Sequence, residues 1–248
     1  MNSGKSDTLI KTAYNYKERD LKILVIKPKL DTKSERTVVA RGGHSCKVDI
    51  LADSDTNLTT EIRKYNNLAC ILVDEAQFLT EKQISQLYLC AKIDNISVIC
   101  FGLRADFQTK MFPGSKRLFE IADNLEKLPT MCFCGAQAEF NTRKINGKYV
   151  FKGEQVAIDG DDTVTYDSLC GSCYVREGGE IWWFLLGAGN PLSLKLQKGK
   201  AGLGSNLFSL DEYIKTYLLE HPNVTFVTAI KIIGTVSKTV GKIVLLYC

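Results

Sequence analysis

Apolar and polar positions along the chain follow two periods. A period near 3.6 runs from Thr8 to Asp20, with Leu9, Ile10, Ala13 and Tyr14 on the inner side of the predicted helix. Further helical stretches are predicted at Leu58–Tyr65, at Thr80–Asp94 and at Pro113–Asn124. Thr80 is placed to cap the second of these, and Ile84, Leu87, Ala91 and Tyr88 form its stripe. Pro113 sits in the first turn of the third, which offers Leu118, Phe119, Ile121 and Ala122 to a core. Between the helices lie short apolar runs: Leu21–Lys27 closed by Pro28, Val48–Leu51, Cys70–Val73 with Ala69 before it, and Ser97–Phe101. Continuous runs of this length fit strands buried on both faces, and their alternation with helices predicts a parallel α/β sheet with right-handed crossovers. Beyond it, Tyr149–Ile158 is strand-like and Asp159–Asp162 is a turn.

The 248 residues suit one α/β domain with smaller parts: 1–128, 129–176, and a tail at 177–248. In the tail, Ile181–Leu186 is apolar but too short to cross a bilayer, and 187–205 is linker-like. Ser209–Glu220 has a capping-box register, and Val224–Tyr247 is apolar but broken by Lys231, Lys238 and Lys242, which argues against a membrane span. The net charge of +4 is too mild to argue for nucleic acid. Nine cysteines behind a polar start without a secretory signal point to a reducing, cytoplasmic setting and to metal binding or burial rather than disulfides. Cys90 and Cys100 read as small core hydrophobes.

Three clusters carry chemistry. Met1-Asn2-Ser3-Gly4-Lys5-Ser6 is the second half of G-x-x-x-x-G-K-[ST], the loop whose backbone N–H groups cradle phosphates. In that loop the lysine meets the β/γ-phosphates and the hydroxyl ligates Mg²⁺, and the helix behind it adds a favourable dipole. The Cys70–Val73 run ends in Asp74-Glu75, at the edge where open α/β sheets bind ligands. Two carboxylates there suit a Mg²⁺-nucleotide; a solvated strand end before a turn would look the same. Finally, Cys132-Phe133-Cys134-Gly135 and Cys170-Gly171-Ser172-Cys173 supply four thiolates that can surround one tetrahedral Zn²⁺, with no position left open for catalysis.

With these clusters placed, the chain resembles a type II thymidine kinase from Met1 to about Tyr174. The ordered motifs that carry the likeness are MNSGKS, KPKLDTK, VDEAQF, GLRADF, CFCG, GEQVAI and TYDSLCGSCY. The resemblance implies a RecA-like P-loop domain plus a small zinc-ribbon-like lasso domain, and transfer of the γ-phosphoryl of ATP to the 5′-hydroxyl of thymidine. It implies ATP, Mg²⁺ and structural Zn²⁺ as cofactors and a homo-tetramer as the assembly, with neither nucleic acid nor membrane as partner. Matched position by position, Ser3, Gly4, Lys5 and Ser6 hold ATP, Asp74 supports Mg²⁺, and Glu75 is the general base. Met1, Leu103, Phe107 and Phe112 fall at apolar positions around the thymine, Phe78 at the aromatic after the acidic pair, and Tyr166 at a lasso tyrosine. Cys132, Cys134, Cys170 and Cys173 fall at the zinc ligands. Core packing is the other reading of Phe107 and Phe112, and a surface position that of Tyr166.

Three departures qualify the likeness. No strand and no first P-loop glycine stand ahead of Met1, which predicts an unfilled slot in the middle of the sheet with unpaired backbone on either side. Asp159 stands where the family has a glycine turn. Residues after about Arg176 match nothing in the family and read most simply as a fused fragment without an evolved role. An active thymidine kinase and a catalytically inactive remnant that keeps zinc and nucleoside are therefore both compatible with the sequence.

Overall fold

The computed structural model describes residues 3–29, 36–155, 164–179 and 243–247. Met1, the 31–33 loop, Asp159–Asp162 and the tail segments before residue 243 lie outside the described residues.

The first helix, α1 (Lys5–Lys17), starts earlier than the hydrophobic period predicts, because Gly4 takes the left-handed conformation (φ 72°) and turns the chain into it. Leu9 and Ala13, one turn apart, are its buried stripe. Tyr14 is not on it, being 61% exposed. Strand β1 (Lys22–Pro28) follows, then a small hairpin, β2 (Thr37–Val39) with β3 (Ser45–Lys47), and a short strand, β4 (Ile50–Ala52). The hairpin escapes a reading by pattern because each arm buries one residue, Val38 and Cys46. Helix α2 (Leu58–Ile62) leads to β5 (Leu68–Val73), and a 3₁₀ turn, Ala76–Phe78, follows Glu75. Helix α3 (Glu81–Lys92) carries the expected Thr80 cap and closes it reciprocally through Gln83. After β6 (Ser97–Gly102), helix α4 (Pro113–Ile121) ends short of Asn124 and gives way to an unforeseen strand, β7 (Asn124–Lys127). The zinc region contributes β8 (Phe140–Ile145), β9 (Lys148–Val150), β10 (Val164–Leu169) and α5 (Gly171–Arg176), with β8 central in an antiparallel sheet. The last strand is β11 (Ile243–Tyr247).

The main sheet is parallel throughout, in the order β4-β1-β5-β6-β11-β7. The expected central gap is therefore filled. Strand β11 pairs with β6 from Ile243 opposite Val98 to Tyr247 opposite Gly102, and with β7 from Val244 opposite Asn124 to Tyr247 opposite Lys127. This corrects the reading of the C-terminal segment as a fragment without a role, at least for Ile243–Tyr247. It also explains where α4 stops: the N–H of Asp123 donates to the Ile243 carbonyl (3.0 Å), and the Asp123 carboxylate accepts from the Ile243 N–H (2.8 Å).

The sheet buries both faces. On one, α3 and α4 cover Leu24, Ile26, Ile71, Val73, Val98, Cys100, Ile243 and Leu245. On the other, α1 and the β2–β3 hairpin cover Val25, Cys70, Leu72, Phe101 and Leu246. Cys90 and Cys100 lie fully buried in the first core, as small apolar side chains do.

Candidate active site

The first group of candidate residues lies where α1 and the C-terminal end of β5 meet. Gly4 needs its positive φ rather than space, since a Cβ there would meet no atom within 4 Å. The first turn of any α-helix carries N–H groups not used within the helix, and Lys5 and Ser6 stand in that turn. The Ser3 hydroxyl, just before it, is buried without a hydrogen-bond partner among the described residues. Asp74 is 4% exposed, and its Oδ1 likewise has no hydrogen-bond partner among the described residues. Burial first, and then the charge of Glu75, push its carboxyl up to about 7, against the pull of Lys5 and Lys27. A buried carboxylate with an unused oxygen, beside a lysine at a helix start, fits a divalent cation carried by a polyphosphate. Glu75 follows in a left-handed conformation (φ 46°), strained for a residue with a side chain. Its Oε2 accepts from Gln77 Nε2 at 2.5 Å.

Gln77 connects this end to the remainder. It is 1% exposed, and its Oε1 accepts from the Leu103 N–H (3.1 Å). The Leu103 carbonyl in turn accepts from Ser115 Oγ (2.6 Å) in the first turn of α4. Gly114 beside it lets α4 approach the 3₁₀ turn: a Cβ there would stand 2.5 Å from the Ala76 carbonyl oxygen and 2.7 Å from that of Leu79. Phe112 at the start of α4 meets Phe78 edge-on, with ring centroids 5.4 Å apart. So Glu75, Phe78, Leu103 and Phe112 gather around one turn.

Phe107 is held from the zinc region. The Arg143 guanidinium lies 3.8 Å from its ring centroid, and the Tyr174 hydroxyl donates to its carbonyl (2.8 Å). Asn141 Nδ2 donates to the Ala105 carbonyl (2.9 Å), and Asp106 Oδ1 accepts from the N–H groups of Gln108 and Lys110. Arg143 Nη1 also donates to the Glu154 carbonyl (2.9 Å), at the start of the 156–163 segment that lies outside the described residues. Tyr166 is directly opposite Arg143 in the β10–β8 pairing. The register puts it on the sheet face from which Arg143 meets Phe107.

The four cysteines converge. The ligand atoms of Cys132, Cys134, Cys170 and Cys173 all lie within 4.8 Å of one another, with Cys134 Sγ and Cys170 Sγ 3.6 Å apart. Four thiolates at about 2.3 Å from one tetrahedral Zn²⁺ stand about 3.8 Å from each other, so the donor set fits structural zinc. Cys170 caps α5, its sulfur accepting from the Cys173 N–H, and Arg176 Nη2 lies 3.2 Å from Cys173 Sγ. Phe140, Phe151 and Tyr174 pack beneath the cluster.

Sequence reasoning passes over Gln77, Asn141, Arg143 and Tyr174 as individual residues. Gln77 and Tyr174 are inside quoted motifs, where a buried polar group next to a catalytic candidate is itself a signal. Arg143 has none in one sequence, because an arginine in a short strand ordinarily points to solvent.

The thymidine kinase family model matches residues 1–174. The thymidine kinase of Haemophilus influenzae is 41% identical over 186 residues, covering 73% of this chain and 95% of that protein. That of Shewanella oneidensis is 41% identical over 175 residues, covering 68% and 90%, and that of Legionella pneumophila (strain Philadelphia 1) is 39% identical over 186 residues, covering 73% and 88%. The family model over residues 1–174 and this breadth of similarity place the chain in the thymidine kinase family.

Proposed function

We propose that this chain transfers the γ-phosphoryl group of ATP to the 5′-hydroxyl of thymidine. The reading is supported by Lys5 and Glu75 acting on the buried Asp74 at one edge of the sheet and by Phe78, Leu103 and Phe112 around the turn after β5, with Phe107 held by Arg143, which pairs with Tyr166. In the reaction a bond forms between the 5′-oxygen and the γ-phosphorus while the bond to the β-phosphate bridging oxygen breaks. Its transition state is loose, so catalysis rests on positioning and charge neutralisation. Glu75 accepts the hydroxyl proton, with Gln77 fixing the carboxylate. Backbone N–H groups at Ser3 and Gly4, with Lys5 and Ser6, hold the phosphates. Asp74 and Ser6 would hold Mg²⁺, which neutralises phosphate charge when bound. The thymine ring lies against Phe78, Phe107 and Phe112, with Leu103 and Tyr166 closing the enclosure. Cys132, Cys134, Cys170 and Cys173 would hold Zn²⁺, which would brace the sheet whose Arg143 holds Phe107. A cytoplasmic homo-tetramer is the assembly this reading carries with it. Among the described residues no helix is long and apolar enough to cross a membrane.

The test is transfer of ³²P from γ-labelled ATP to thymidine by the full chain. Labelled dTMP that disappears with Glu75→Gln supports the reading. A folded, zinc-loaded chain without transfer would make it a non-catalytic relative that retains zinc. The grounds for that alternative are the truncation inside the phosphate loop and the slot expected in the sheet; Ile243–Tyr247 occupies the slot, and the first loop glycine still has no counterpart ahead of Gly4.

A further inference from the structure

A phosphate-binding loop is normally delivered by the strand directly ahead of it in sequence, with the helix directly behind. Here the helix is α1, yet the strand beside it comes from more than 220 residues later. Several observations show that β11 is built into this position. It is bonded on both sides, to β6 and β7. The Asp123 carboxylate accepts from its first N–H, and its last carbonyl accepts from the Leu128 N–H (2.7 Å). Its side chains alternate correctly: Ile243 and Leu245 enter the α3–α4 core, while Leu246 packs in the same cluster as Leu9 and Ala13 of α1. Tyr247 meets Phe119 of α4 edge-on at 5.0 Å. Being parallel to β6, and through it to β5, it runs toward the edge that carries Asp74 and Glu75, and its Leu246 belongs to the buried cluster that includes Leu9 and Ala13 of α1.

We propose that Ile243–Tyr247 is the leading strand of the phosphate-binding unit, so that docking of this distant segment and binding of nucleotide form one coupled equilibrium. The inference rests on the assignment of Gly4–Ser6 and Asp74 to nucleotide. If undocking β11 removes the support beneath α1, nucleotide that binds only the docked form must suppress undocking, and the coupling is reciprocal. The test is amide hydrogen exchange on the full chain, with and without Mg²⁺ and the non-hydrolysable analogue AMP-PNP, after its Kd has been measured by equilibrium dialysis. At 100 times that Kd, exchange at Val244–Tyr247 should slow about a hundred-fold. Exchange at Asn141–Arg143 in the zinc-region sheet should change far less. Rates at Val244–Tyr247 that ignore the nucleotide, or that slow no more than those at Asn141–Arg143, would overturn the coupling while leaving the nucleotide site intact. If the full chain binds no AMP-PNP, the nucleotide site itself falls, and the coupling with it.

Discussion

Glu75 holds a strained backbone conformation between a buried aspartate and a glutamine that orients its carboxylate. A strain of this kind persists where the surroundings over-determine it, and Gln77 and Gly114 do so here. Replacing Glu75 by Gln keeps the shape and removes the carboxylate to which the proposed function gives the role of base. The expected result is a fall in kcat of about 10²–10⁴-fold with AMP-PNP affinity little changed, read by steady-state kinetics and dialysis. Asp74 gives a pH prediction. Its carboxyl is raised to about 7 in the folded chain, from an ordinary value near 3.8. A raised carboxyl means the folded state binds the proton more tightly than the unfolded state. In Mg²⁺-free buffer this group's contribution to stability is therefore fully present below pH ~4 and is lost as pH climbs toward 7, an effect on the order of a few kcal/mol. Urea unfolding at pH 5 and pH 7.5 should show that loss, and Asp74→Asn should remove most of the difference.

At the scale of elements, two contacts set the geometry of the turn after β5. Gly114 lets α4 rest against the carbonyls of Ala76 and Leu79. A methyl group there meets backbone that cannot move aside, so Gly114→Ala should cost about 1–3 kcal/mol and displace Phe112 and the 3₁₀ turn together. The expected readout is a lower Tm with a raised KM for thymidine. Gln83 works at the other end of the same turn. Its Oε1 accepts from the Thr80 N–H, while its Nε2 donates to the carbonyls of Asp53 (2.6 Å) and Thr56 (3.1 Å). Gln83→Leu strands those groups in the interior and should destabilise by about 1–3 kcal/mol, measurable by urea denaturation. The Thr80 cap is visible in the sequence because capping is local. The tie from Gln83 to the 53–56 loop is not, because it joins residues about 30 positions apart.

For the molecule as a whole, the four-cysteine region reaches the loop that carries Phe107. Tyr174 bonds its carbonyl, Arg143 covers its ring, and Asn141 holds Ala105 nearby. Removing zinc with a thiol-directed mercurial should release one ion per chain, as the single four-cysteine cluster among the described residues requires. The KM for thymidine should then rise about ten-fold or more, equivalent to at least about 1.4 kcal/mol, with a smaller change for ATP. Cys70 and Cys90 should stay unreactive throughout, since burial pushes their thiols up to about 12 and about 11.

Much of this was legible in the sequence because it depends on neighbours in the chain. Buried strands appear as apolar runs, α3 as a capped 3.6-residue period, and the four-cysteine cluster as paired cysteines. The family likeness added roles for residues whose spacing alone said little. Short strands with one buried residue, such as β2, β3 and β7, left no comparable pattern. What only the tertiary structure decided concerns partners distant in sequence. Arg143 points inward because Phe107 and two carbonyls wait for it there. Ile243–Tyr247, by pattern an apolar segment at the far end of an unmatched tail, becomes an interior strand because β6 and β7 leave a slot with unpaired backbone on both sides. Hydrophobic pattern determines that a segment must be buried; the unpaired edges of the folded sheet decide where.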